Sequence, residues 1–179
     1  MMRLFIALDL PEGFIPLLTE AGDILARHAH KLSRTKPQNL HLTLRFLGDT
    51  AEERLPDLKR LIHDVPFGGR AALTHYGSFP TPDGITLWAG LQCDEALTNM
   101  AQAVEAGVRA LGFPAEKRPF VPHVTLARRA RLKAPLAEIV PLLPLHPQPV
   151  AVPALVLYQS ELGQEGARYT AIERVCHAH

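Results

Sequence analysis

The spacing of apolar and polar residues changes period along this chain in a regular order. Residues 3–10, RLFIALDL, form a short apolar run closed by Pro11, the signature of a buried strand. Across 11–32, PEGFIPLLTEAGDILARHAHKL, the residues Phe14, Leu17, Leu18, Ala21, Ile24, Leu25 and His28 recur at helical spacing. Pro16 falls early enough to be tolerated in a first turn. A polar stretch, SRTKPQN, then leads into an alternating segment, HLTLRFLG at 41–48, which reads as a strand.

The second half runs the same course. TLWAGL at 86–91 predicts a strand, and DEALTNMAQAVEAGVRALG a helix with Leu97, Met100, Ala101, Val104, Val108 and Leu111 as its apolar stripe. Asp94 suits its N-cap and Gly112 its C-terminal end. The loop FPAEKRPFVP delivers a second alternating segment, HVTLARR at 123–129. After the first such segment, TAEERLPDLKRLIHD predicts a helix and AALTHYGSF a strand that would pair with TLWAGL. After the second, APLAEIVPLL gives a shorter, proline-interrupted helix, then ALVLYQSEL and RYTAIERV form a hairpin through GQEGA. The proline-rich stretch 141–155 is expected to shorten that helix or to form a restructured loop. The repeated order predicts an α+β fold of two similar lobes. Each would be a small, largely antiparallel sheet with outer helices, the two related by a pseudo-twofold about one central cleft. The chain is read as one bilobal domain over 1–179.

Both alternating segments begin His-x-Thr-Leu, and their histidines lie 82 positions apart. Successive side chains of a strand point to opposite faces. His41, Thr43 and Arg45 therefore share one face, against Leu42, Leu44 and Phe46; His123 and Thr125 oppose Val124 and Leu126. One such face is ordinary solvated surface. Two at matching places in a repeated unit suit the walls of a cleft. Imidazole, with an unperturbed pKa of about 6.5, accepts or donates a proton near neutrality. One ring can take a proton from a nucleophile while the other protonates a leaving oxygen, and the threonine hydroxyls can donate to the non-bridging oxygens between them. That arrangement suits a phosphodiester.

Composition narrows the alternatives. A net charge of +1 gives no blanket basic surface for long duplex nucleic acid, although Lys31, Arg34, Lys36 and Arg45 bracket the first motif and Arg118, Arg128, Arg129, Arg131 and Lys133 the second. The outer members of these clusters read as a solvated face. Zinc spacings, GxSxG, P-loop and GxGxxG patterns are absent from the sequence, so neither a metal nor a cofactor is expected. The terminal CHAH, residues 176–179, is metal-like only in composition, and His63 and His75 read as surface residues. Two cysteines, Cys93 and Cys176, fit a reducing compartment. The N-terminal LFIAL is too short for a membrane span, which makes cytoplasmic the expected location.

The two H-x-T-L motifs, together with RLFIALDLP, NLHLTLRFLG, LWAGL and RPFVPHVTLAR, resemble the bacterial and archaeal 2′-5′ RNA ligase/RNA 2′,3′-cyclic phosphodiesterase family of the two-histidine (2H) phosphoesterase superfamily. The resemblance implies metal-independent opening of an RNA 2′,3′-cyclic phosphate to a 2′-phosphate. In it His41 is the proton donor to the departing 3′-oxygen, His123 the proton acceptor from water, and Thr43 and Thr125 hold phosphate oxygens. With an RNA 5′-hydroxyl as nucleophile the same groups would join ends through a 2′-5′ linkage. Arg128 matches the family's arginine five residues beyond the second histidine, whereas strand parity puts Arg129 on that face, so Arg128 requires the strand to end or bulge. The expected partners are RNA ends or nucleotides bearing a cyclic phosphate, without a membrane, for a monomeric chain. Parity sends Phe46 to the core, and Trp88 reads as core; Phe46 and Phe120 are otherwise candidate base-stacking platforms. A non-catalytic reader of RNA ends, or a phosphoesterase for a non-RNA diester, are the competing readings.

Overall fold

The first apolar run becomes the centre of a sheet because both its neighbours are themselves apolar strands. In the computed structural model, which describes residues 1–177, the elements are β1 (Met2–Leu8), α1 (Phe14–Arg27), β2 (Ala29–Arg34), β3 (Leu42–Thr50), α2 (Leu55–Asp64), β4 (Arg70–Thr81), β5 (Gly84–Cys93), α3 (Glu95–Ala110), β6 (His123–Leu132), α4 (Leu136–Ile139), β7 (His146–Ala151), β8 (Ala154–Gly163) and β9 (Gly166–Cys176). They build two antiparallel sheets, ordered β3-β1-β8-β9 and β2-β6-β5-β4-β7. The α+β class and the paired sheets are as expected. Leu4, Ile6 and Leu8 of β1 join Leu73, Leu87, Leu91 and the inner stripe of α3 in one apolar cluster. Fully burying each such side chain contributes about 1.5–3 kcal/mol.

Neither sheet is made from one half of the chain. The motif strands β3 and β6 pair with β1 and β5, the strand that opens each half. Later strands cross over: β4, which follows the first motif strand, joins β5 in the second sheet, and β8, which follows the edge strand β7, returns to β1 in the first. This exchange ties the lobes together through the chain itself.

Three local outcomes follow from competing forces. Asp94 caps α3, its Oδ1 accepting from the Leu97 amide at 2.9 Å, and Gly112 just beyond the helix takes φ 89°. The helix expected to reach residue 32 instead stops at Arg27, and 29–34 become the edge strand β2. Leu32 packs inward from either conformation, but only the strand satisfies the outer ladder of β6. The proline-rich segment yields the short α4 and then β7, an edge strand in which Pro147 and Pro149 need supply no ladder donor on the open side. No described helix is long and apolar enough to cross a membrane.

Candidate active site

Both motifs carry a bulge at the same place, and the bulges decide what enters the cleft. Along β3 the register runs Thr43 against Ala7, then Arg45 against Ile6, so Leu44 is the extra residue. Along β6, Thr125 faces Trp88 and Ala127 faces Leu87, leaving Leu126 extra. A bulge inserts one residue and shifts the later side chains to the other face. Ile6 and Leu87 belong to the core, so Arg45 and Ala127 turn inward with them. Position 46 and position 128 therefore turn outward, to the side of the histidines.

This corrects three expectations. Arg45 does not line the cleft. It is 7% exposed, its Nε 2.6 Å from Glu105 Oε2, with further bonds to the carbonyls of Phe46 and Pro114. Phe46 is not core: its ring is 60% exposed and lies 6.0 Å from that of Phe5. Trp88 also leaves the core, standing opposite Thr125 beside His123, centroids 5.9 Å apart. Arg128, by contrast, gains the orientation that simple alternation denied it. Arg129 is the residue with φ 53°, and its Nε lies 3.4 Å from Asp83 Oδ2, so it is used elsewhere.

The two histidines are held alike. His41 Nδ1 lies 2.7 Å from the Asn39 carbonyl, and His123 Nδ1 2.6 Å from the Val121 carbonyl, in each case two residues back. A carbonyl only accepts, so each Nδ1 carries a proton and each Nε2 is left for proton exchange. His41 Nε2 is 2.7 Å from Thr43 Oγ1, which donates to it while the ring is neutral. The Asn39 side chain ties this loop to β9, its Nδ2 donating to the Ala167 carbonyl at 2.8 Å. Burial lowers the His41 pKa below the ordinary imidazole value; the Asn39 carbonyl and Asp9 oppose the shift, and Arg128 and His123 add to it. Their charges reach His41 across the cleft, where β3 and β6 approach one another. The structure thus brings His41, His123 and Arg128 into one electrostatic environment, with Thr43 and Thr125 on the same faces.

Aromatic walls that the sequence did not single out surround each ring. Phe5, Tyr158 and Tyr169 lie 5.0, 6.5 and 5.3 Å from His41 between centroids. Phe79 meets His123 edge-on at 5.2 Å. Their only prior signal was alternation along strands read as ordinary. His75, expected on an ordinary surface, stands on the cleft side of β4 opposite Gly90, which in turn pairs with His123. A Cβ at Gly90 would come within 2.1 Å of His75 Nε2, so the glycine makes room for that ring. His63 does lie outside the cleft, 3.4 Å from Glu173. A hollow of about 450 Å³ opens beside His41, lined by Asp9, Glu12, Gln38, Tyr158 and Tyr169. Asp9 there accepts from Tyr158 Oη at 2.5 Å and from Arg174. Another hollow, between α2 and α3 at Asp57, Arg60 and Gly107, is away from both histidines. Among the described residues no three His, Cys, Asp or Glu side chains converge as metal ligands; of the terminal CHAH, Ala178 and His179 lie outside the described residues.

Two like sheets presenting a pair of His-x-Thr faces to a common cleft define a two-lobed, two-histidine protein. Residues 17–164 match the model of the 2′-5′ RNA ligase superfamily. The RNA 2′,3′-cyclic phosphodiesterase of Thermus thermophilus is 38% identical, over 97% of this chain and 89% of its own; that of Methanothermobacter thermautotrophicus is 30% identical over 96% and 97%. A crystal structure of a Thermus thermophilus protein superposes with a TM-score of 0.80 at 34% identity, covering 98% of this chain and 97% of that one. Escherichia coli LigT complexed with 3′-AMP superposes with a TM-score of 0.77 at 26% identity, covering 99% of each chain. This chain belongs to the 2′-5′ RNA ligase superfamily.

Proposed function

We propose that the protein is a hydrolase that opens RNA 2′,3′-cyclic phosphodiesters to 2′-phosphomonoesters, with His123 as base and His41 as acid. The observation that carries the reading is the matched tethering of both imidazoles, each with Nδ1 on a carbonyl and Nε2 left for proton exchange. Water gives its proton to His123 Nε2 as its oxygen bonds to phosphorus. The P–O3′ bond breaks, and the 3′-oxygen takes the proton of His41 Nε2. Each ring ends in the other's starting charge state, and exchange with solvent resets both. Thr43, Thr125 and Arg128 hold the non-bridging oxygens, where charge develops. An RNA 5′-hydroxyl in place of water yields a 2′-5′ phosphodiester by the same two transfers. The relatives named for RNA 2′,3′-cyclic phosphodiesterase activity support this substrate class.

The state of His41 places a condition on this mechanism. With its pKa lowered by burial, the free enzyme holds that ring neutral at pH 7. A bound phosphodiester anion supplies the missing attraction and lets the acid carry its proton. Once Nε2 is protonated it no longer accepts from Thr43, whose hydroxyl proton is released towards the phosphate. The descending limb of kcat/KM, which reports the free enzyme, should therefore lie at lower pH than that of kcat, which reports the complex. Coincident limbs in the two profiles would contradict it.

The direct test is incubation with an oligoribonucleotide ending in a 2′,3′-cyclic phosphate, in the presence of EDTA. A 2′-phosphate product is expected. A 3′-phosphate would reverse the leaving oxygen, and binding without opening would make the protein a reader of RNA ends.

A further inference from the structure

Five basic side chains lie on the ladder between β2 and β6, and they divide by face. Arg34 sits opposite core-facing Ala127 and bonds to Asp23 and to the Thr19 carbonyl on α1. Arg129, where β6 shifts register once more between Ala127 and Ala130, pairs with Asp83. The other three stand on the side of His123. Arg128 is opposite Ser33, and Arg131 is opposite Lys31. All four of these side chains are exposed. Among the described residues, Lys31, Arg128 and Arg131 have no acidic partner within 4 Å. An ordinary solvated face, the expectation from sequence, gives no reason for this segregation. Arg34 and Arg129 are paired, and the charges on the side of His123 are left unpaired.

We propose that the β2–β6 ladder is the path of the single-stranded RNA upstream of the reacting end, with Lys31 and Arg131 binding a phosphate beyond the one held at Arg128. The inference rests on the RNA reading above and extends it to the length of substrate. His123, Thr125, Arg128 and Arg131 run in file along one face of β6, so the basic line is continuous with the site of reaction. The Ser33 and Lys31 steps are two residues apart, about 7 Å along a strand, within reach of one nucleotide step of an extended single strand. The ladder is continuous with the motif itself, since the Thr35 amide still donates to the Leu126 carbonyl. No base is read on this path. Phosphate contacts position the chain and leave sequence free.

The test compares a nucleoside 2′,3′-cyclic phosphate with a 5′-labelled hexaribonucleotide ending in the same group, for the native protein and for Lys31→Gln/Arg131→Gln. The native protein should show a lower KM for the hexamer, with the advantage shrinking as salt rises. The double variant should keep its kcat/KM for the mononucleotide and lose the hexamer's advantage. Its slope of log KM against log salt should fall by about 0.7, the value for one phosphate of a single strand. Arg129→Asn, on the same strand but paired to Asp83, should change neither substrate. An unchanged hexamer slope in the double variant overturns the path, as does equal loss on both substrates. Anisotropy of the labelled hexamer separates the two proposals. Salt-dependent binding that the double variant loses, with no opening of either substrate, leaves the path standing and removes the catalytic reading.

Discussion

Replacing His123 by alanine is expected to lower kcat by about 10²–10⁴-fold, and His41→Ala by a similar factor, because each removes one positioned proton-transfer group. The two losses should not multiply in the double variant, since both groups serve a single displacement at phosphorus. The limbs of the pH profile then assign the roles. Without His123 the ascending limb of kcat/KM should vanish, because the base no longer has to be free. Without His41 the descending limb should vanish, because no acid remains to be titrated. Full turnover in either variant would end the proposed mechanism. Loss of the opposite limbs would keep the chemistry and exchange acid for base.

Burial gives a reason to measure this rather than infer it from the free protein. A neutral, desolvated imidazole resembles a base more than an acid. His41 differs from a simple buried histidine because Asp9, itself engaged by Tyr158 and Arg174, lies near enough to oppose the shift. Burial also pushes the Tyr158 hydroxyl up to about 12, so that residue stays a hydrogen-bond donor to Asp9 through neutral pH. The hollow beside His41 thus joins an aromatic wall to a single shared carboxylate, an arrangement no motif announced.

What the sequence disclosed follows from how each feature is encoded. The two motifs, the Asp94 cap and the pairing of β4 with β5 rest on local chemistry or on alternation, and the structure shows all three. The bulges rest on neither. Leu44 and Leu126 alternate as any strand leucine would, and no glycine or proline marks them, yet they invert the side chains that follow up to the next register shift. One unseen residue sent Arg45 inward and Phe46 outward; its counterpart in β6 sent Arg128 to the cleft. Strand β2 was hidden for another reason: Leu32 fits either period, and only the open ladder of β6, distant in sequence, decides between them. The return of β8 to β1 in the first sheet has no local signature at all.

Arg45→Met offers the sharpest test of that inversion, because the two placements of Arg45 predict opposite results. In the cleft it would serve the phosphate, and its loss would weaken turnover while sparing stability. In the observed structure it joins β3 to Glu105 on α3 and to the Pro114 carbonyl, while Glu105 Oε1 accepts from the Glu116 amide at 3.0 Å. Arg45 therefore braces the segment that delivers His123. Breaking a buried pair by removing one partner costs about 3–5 kcal/mol; Glu105 is 30% exposed and recovers some hydration, which places the expected loss near the lower end. At about 2–4 °C per kcal/mol for a chain of this size, Tm should fall by roughly 6–12 °C. Adding Glu105→Gln should return part of the loss, since the uncompensated carboxylate is then gone. Below the new Tm, the pH limbs of kcat/KM should stay where they are in the native enzyme, because neither proton-transfer group has changed. An unaltered Tm with impaired turnover would put Arg45 back in the cleft and remove the Leu44 bulge from the account of the site.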